Sequence, residues 1–260
     1  MSSRRQKKQL REPLILILAA VFLFVSLGTG IAGCTGTAEN IRKIRIVIDA
    51  AYGGDNKGNT GLVNESDYSE GVTDALMERI SYDSRFTALR THEAQTPLAV
   101  SDAAAFINTE QPEFVLSIHA AYDPDPSVSG MHIYADVPSS ENHEQSLGLA
   151  QQLQKTFEGQ VSSVDVGYMY YEPYTEGTFR LKRVGLEDEQ PSDLETWSLM
   201  KQSEIPVVIT EMIHVSNADD VGRWANEQGY ADAAELYYQA FCAYCGFEPV
   251  PVPEPEEEKA

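Results

Sequence analysis

The chain has 260 residues, 42% hydrophobic and 23% charged, which is enough apolar material for one ordinary globular core with a tail at each end. Its formal charge is -21, and no basic stripe follows the first dozen residues, so nucleic acid and other polyanions are excluded as partners.

The first 33 residues read as a leader. Arg4, Arg5, Lys7, Lys8 and Arg11 make a cationic start, and Leu14 to Leu27 form the apolar stretch of a signal peptide. The stretch closes on Ile31, Ala32, Gly33 and Cys34, which resembles a bacterial lipobox, with Cys34 the lipidated residue. The other reading is an uncleaved anchor, because the uncharged run counted to Gly33 reaches the roughly 20 residues that span a bilayer. Either way the expected location is extracytoplasmic and tethered to a bacterial membrane. Residues 34–43 then form a tether.

From residue 44 to 246 helix and strand patterns alternate. Ile44 to Ile48 is a β-branched run that predicts a buried strand. Between Glu65 and Tyr82 the spacing of Tyr68, Val72, Ala75, Leu76 and Ile80 predicts one face of a helix. A short strand at 86–89, a helix at 97–108 with Pro97 in its first turn, and a strand at 114–118 follow. Gly130 to Ala135 reads as a strand, and Glu141 to Phe157 as a helix with Leu147, Ala150, Leu153 and Phe157 inward. Residues 171–196, rich in Pro, Gly and charge, read as a long loop or flap. Val207 to Thr210 is a late apolar strand, and Asn217 is placed to cap a helix opened by Ala218, Asp219 and Asp220. Cys242 and Cys245, three apart near the end of a last helix, read as buried thiols or a local disulfide. Residues 247–260 (FEPVPVPEPEEEKA) predict a disordered Pro/Glu tail. The pattern is that of a single α/β domain: a largely parallel or mixed twisted sheet covered by helices on both faces.

Three strands or helix starts end in side chains suited to metal hydrolysis. Hydrolytic zinc is held by three protein ligands and keeps one position for water, while a separate carboxylate moves protons. Glu65 and His119 are candidate ligands, and Glu211, after VVIT, is the candidate catalytic base and acid. A lone strand-end histidine can equally be a structural hydrogen-bonding residue, and a glutamate at a helix start a dipole cap.

The order of these residues resembles the zinc-dependent N-acetylmuramoyl-L-alanine amidases of bacterial cell-wall remodelling, the amidase_3 type. The family motif D-A-G-H-G-G is matched by Asp49, Ala50, Ala51, Tyr52, Gly53 and Gly54, with Tyr52 where the first ligand histidine stands. The ligand glutamate is matched by Glu65, and S-I-H-A-N by Ser117, Ile118, His119 and Ala120, with Ala121 for asparagine. The catalytic glutamate of P-x-x-x-x-E is matched by Pro206 and Glu211, with Ser216 and Asn217 beyond it. The resemblance implies cleavage of the amide between the lactyl group of muramic acid and L-alanine, with peptidoglycan as partner and zinc as cofactor. Tyr52 alters that site, because a phenol with an ordinary pKa near 10 binds zinc only as phenolate. His132 and His214 are further histidines within reach of the same region, whereas His92 and His143 have no partner motif. Three readings stand: a hydrolase using Tyr52, Glu65 and His119 as ligands, a peptidoglycan-binding or regulatory amidase fold without turnover, and a tethered scaffold for a protein partner.

Overall fold

Seven residues of IRIVIDA, apolar at alternate and then successive positions, form β1 (Ile44–Ala50), whose Ile46, Val47 and Ile48 are wholly buried. Continuous β-branched runs of this kind belong to strands covered on both faces. The computed structural model describes residues 43–96 and 98–253. The leader, Cys34, nearly all of the tether, Pro97 and the end of the tail lie outside the described residues.

Helix α1 (Glu65–Ser81) follows a loop, then β2 (Phe86–Arg90), α2 (Val100–Glu110), β3 (Phe114–Ala121), β4 (Met131–Tyr134) and α3 (His143–Phe157). The second half contributes β5 (Val164–Pro173), β6 (Phe179–Gly185), β7 (Glu195–Thr196), α4 (Ser198–Gln202), β8 (Val207–His214), α5 (Ala218–Trp224) and α6 (Glu227–Cys245). The strands make one eight-stranded sheet in the order β2-β1-β3-β8-β4-β5-β6, with β7 paired to β5. β2, β1, β3 and β8 run parallel, β4 runs antiparallel to β8, and β5 returns parallel to β4. The expected single domain with a mixed sheet between helices is what the chain adopts.

One face of the sheet packs on α1, α3 and α6, with Tyr68, Val72, Leu76 and Ile80 against Ile46, Phe114 and Leu116, and Leu149, Leu153 and Phe157 against Ile133 and Tyr237. The i, i+4 and i+3 spacing of those helical residues puts them on a single stripe. The other face is thinner. There Val47, Val115, Val207 and Ile209 pack on Ala103, Ala104 and Ile107 of α2 and on Leu199 and Met200 of the five-residue α4. This apolar cover stops before the ends of β3 and β8, where the polar side chains of His119 and Glu211 remain buried, 8% and 6% exposed.

Two segments depart from the sequence reading. Residues 171–196 are not a loop throughout: β5 runs to Pro173, turns at Gly177, and returns as β6, with Tyr171 opposite Leu181 and Met169 opposite Arg183. The buried Tyr168, Met169 and Tyr170 of β5 carry that hairpin, and its polar, exposed outer strand hid it. The tail is tied down over its first residues, where Arg85 and Arg79 donate to the carbonyls of Glu248 and Val250, and the Val250 N–H donates to Tyr238. Cys242 and Cys245 are free thiols, the first of them buried. Asn217 does cap α5, its side chain accepting from the N–H groups of Asp219 and Asp220.

The loop from residue 51 to 64 folds back on the rim of the sheet. Gly61 closes against β8, and Leu62 donates to the Val215 carbonyl at 2.8 Å. Gly58 has φ +63, and a Cβ there would lie 2.4 Å from the Tyr52 ring and 2.6 Å from a Glu65 carboxylate oxygen. Gly58→Ala therefore combines a left-handed backbone cost of about 1–2 kcal/mol with displacement of the ring. Calorimetry is expected to show a Tm loss clearly larger than that of Gly177→Ala, where φ is +74 and the Cβ meets open space. Equal losses would mean that the ring contact contributes nothing.

Asp136 offers a second test. Its carboxyl, 1% exposed, is pushed up to about 7 by burial, against the partial relief of the Val207 N–H, nearby His143 and the Ser146 hydroxyl. The folded protein thus holds a proton that the unfolded chain releases near 3.8. That contribution to stability is complete below the lower value and is lost as pH rises through about 7. Asp136→Asn keeps an oxygen for Val207 and cannot ionise. Its Tm relative to the parent is expected to improve steadily from pH 4 to pH 8, and a pH-independent difference would refute the assignment.

Candidate functional site

Strand register brings the chemistry together. His119 on β3 pairs with Glu211 on β8, and Glu211 pairs with His132 on β4, so three side chains stand side by side on the thinly covered face. In-register neighbours share a face because side chains alternate along every strand. Below them run Ser117, Ile209 and Tyr134. Trp197, at the start of α4, lies on His119 at 4.8 Å between ring centres and near Tyr134 at 6.3 Å. It marks where the apolar cover ends.

Glu65 comes from the first turn of α1 and is 1% exposed. Its carboxylate accepts from His119 Nδ1 at 2.8 Å, from the Ala120 N–H at 3.2 Å and from the Asn59 N–H at 2.8 Å. Asn59 in turn donates through its side chain to the Ala120 carbonyl. Burial works against charge on His119, but the Glu65 bond and charge, with Asp49 and Glu211 behind them, outweigh it and raise the imidazole pKa. Asp49, which accepts from the Thr91 and Ser117 hydroxyls, is held below the row by the sheet itself.

Tyr52 reaches the same place from the end of β1. It has φ 66, and its ring stands edge-on to His119 at 5.7 Å. The phenol pKa is pushed up to about 12 by burial, then by Glu65, Glu211 and Tyr171. Burial and the two neighbouring carboxylates thus favour the protonated phenol.

Glu211 is engaged on its other side. Its Oε2 accepts from the Tyr134 hydroxyl at 2.8 Å and from Arg183 Nη2 at 2.7 Å, and His132 Nδ1 lies 3.9 Å away. Arg183 belongs to β6, so the hairpin delivers a guanidinium into the row. Burial, then Arg183 and His214, lower the His132 pKa to about 4, and burial also lowers that of His214. These two imidazoles meet edge to face at 5.5 Å, and each leaves its Nδ1 without a hydrogen-bond partner. Neither turns towards Glu65. His143 bonds through Nδ1 to the Asp136 carbonyl, and His92 to Thr91, both away from the row.

The structure therefore gathers Tyr52, Glu65, His119 and Glu211 at one rim. It adds Arg183, Tyr134, Trp197 and Asn59, which sequence reading did not single out. Only the cluster Arg180, Lys182 and Arg183 on an acidic chain could have drawn attention to the first of these.

A resident zinc ion does not fit this donor set. Glu65 already accepts three N–H groups, one of them His119 Nδ1, which leaves Nε2 as the imidazole nitrogen with a lone pair to offer. The third candidate, Tyr52, resists the deprotonation that ligation needs. Among the described residues no group of three His, Cys, Asp or Glu side chains is arranged to hold an ion.

The model of a family described as N-acetylmuramoyl-L-alanine amidase, Amidase_3, matches residues 46–243. Comparison with curated protein sequences gives no match. Among solved structures, the N-acetylmuramoyl-L-alanine amidase from Clostridium difficile 630 is 16% identical with a TM-score of 0.63, over 79% of this chain and 98% of that one. The catalytic domain of the amidase CwlV from Bacillus (Paenibacillus) polymyxa var. colistinus is 15% identical, TM-score 0.61, over 78% and 99%. The amidase Ami1 from Mycobacterium smegmatis is 15% identical, TM-score 0.61, over 80% and 99%. At these identities the likeness is one of fold. With the family model spanning nearly the whole described domain, the chain belongs to the Amidase_3 family of N-acetylmuramoyl-L-alanine amidases.

Proposed function

We propose that this chain acts on the bacterial cell wall as a peptidoglycan-binding member of its family, holding the muramoyl–L-alanine region in the cleft without metal-dependent hydrolysis. Family membership supports peptidoglycan as the partner. One observation carries the rest: both carboxylates of the site are already paired inside the protein, Glu65 with His119 and two backbone N–H groups, Glu211 with Arg183 and Tyr134. A base takes protons from water through an oxygen of its own, and on Glu211 the bonds from Arg183 and Tyr134 occupy Oε2 and leave only Oε1 for that task. At the rim above them stand donors and rings. Tyr52, protonated, half-exposed and aromatic, together with Trp197, suits a polar amide flanked by a sugar ring. The leader and Cys34 support a position outside the cell, anchored to the membrane by lipid or by an uncleaved segment.

A second reading is favoured by a single contact. Tyr52 packs edge-on to His119 with Glu65 and Glu211 as its charged neighbours, the place a third zinc ligand would take. On that reading the protein is a hydrolase of the same amide with Tyr52, Glu65 and His119 as its ligands and Glu211 as the proton-moving group.

Three measurements on the full detergent-solubilised chain separate the two. The expected result is co-sedimentation with insoluble peptidoglycan, sub-stoichiometric zinc by mass spectrometry of the metal content, and no new L-alanine amino termini. Near-stoichiometric zinc that Tyr52→Phe abolishes, together with released stem peptides, would establish the hydrolase. Failure to sediment would remove peptidoglycan as the partner.

A further inference from the structure

We infer that Arg183 is the resident cation of this site: the β5–β6 hairpin delivers a fixed positive charge that holds Glu211 and keeps divalent metal out. The inference rests on the metal-independent reading above and assigns its cause to one residue.

Register shows how the charge arrives. Arg183 stands opposite Met169 on β5, on the face that carries Tyr134, and its side chain runs past the Tyr134 ring, with the guanidinium carbon 5.9 Å from the ring centre. It ends on Glu211 Oε2 at 2.7 Å through Nη2, and Nη1 lies 3.4 Å from His132 Nε2. An arginine N–H can only donate, so His132 Nε2 accepts and the remaining proton of that neutral ring sits on Nδ1, towards Glu211. The same carboxylate oxygen receives the Tyr134 hydroxyl. Glu211 is thus held at Oε2 by two donors, the Arg183 guanidinium and the Tyr134 hydroxyl, and Arg183 brings the balancing charge.

The position makes the charge count against a metal. His119 and Glu211 are direct neighbours on adjacent parallel strands, about 5 Å apart in the sheet. An ion bound between His119 and Glu65 would therefore sit within about a strand spacing or two of a guanidinium that cannot lose its proton. The ion would have Glu65 as its partner, while Glu211, the neighbouring acid on β8, is already engaged by Arg183. Replacing Tyr52 by histidine supplies the missing imidazole and leaves this repulsion in place, so Arg183 and Tyr52 act together: one removes a ligand, the other supplies the charge the ion would have brought. In this role Arg183 is a positioning residue, acting through Glu211.

Zinc titration by calorimetry of full-length Tyr52→His, Tyr52→His/Arg183→Gln and Tyr52→His/Arg183→Lys tests the assignment without any measure of activity. The Gln double variant is expected to bind zinc at least tenfold more tightly than Tyr52→His alone, and the Lys double variant, which keeps the charge, is expected to stay near the single variant. Equal affinity of Tyr52→His and the Gln double variant overturns the inference. So does a Lys double variant that binds as tightly as the Gln one, since loss of packing and not of charge would then be responsible. Stoichiometric zinc in the parent protein is a separate outcome, which overturns the metal-independent reading itself.

Discussion

The buried carboxylate of Glu65 is the constraint on which the site depends. A charge with 1% of its surface exposed survives only if its lone pairs are filled, and three N–H groups from two different segments fill them. His119 and Ala120 bring the end of β3, Asn59 brings the returning loop, and the carboxylate itself brings the first turn of α1. Removing the His119 imidazole takes away the one side-chain donor and leaves the buried carboxylate to two backbone N–H groups, a loss of several kcal/mol by ordinary measures of buried ion pairs. The loop that carries Tyr52 is thereby fixed by the same group that touches His119.

Electrostatics then sorts the site into two halves. On one side Glu65 faces an imidazole whose pKa is raised; on the other Glu211 faces a guanidinium and a phenol. Beyond Glu211, His132 and His214 are pressed towards the neutral form by burial. The result is a row in which charge is balanced internally across three strands of sheet. In the chain as a whole acids outnumber bases by about two to one, and local balance of this kind at a cleft is a specific arrangement, since composition alone would leave the cleft strongly negative.

How much of this could be read from the sequence follows from where each residue sits. β1, α1, β3 and β8 are covered on both sides or along one stripe, so Ile44 to Ile48, the Tyr68–Val72–Leu76–Ile80 spacing and VVIT announce them. His119 and Glu211 were legible because each stands at the end of such a run, and Glu65 because it opens the helical pattern. The hairpin was not: β6 has five successive exposed residues and lies at the sheet margin, so its pattern lacks the apolar face that marks a strand. Arg183 owes its place in the site to a pairing with Met169 that no local pattern encodes. Trp197 likewise acts through tertiary placement, as the boundary between core and cleft.

That margin has a consequence for the protein among its own copies. β6 ends the sheet with one row of backbone donors and acceptors unclaimed by a neighbouring strand, and it exposes Phe179 and Leu181. A bare strip of this sort invites a second molecule to continue the ladder. Here Arg180 and Lys182, two apart on one face of the strip, share the single carboxylate of Glu172, so two such margins brought together would set like charge against like there. The strand that furnishes the cleft with its arginine also discourages end-to-end growth of the sheet.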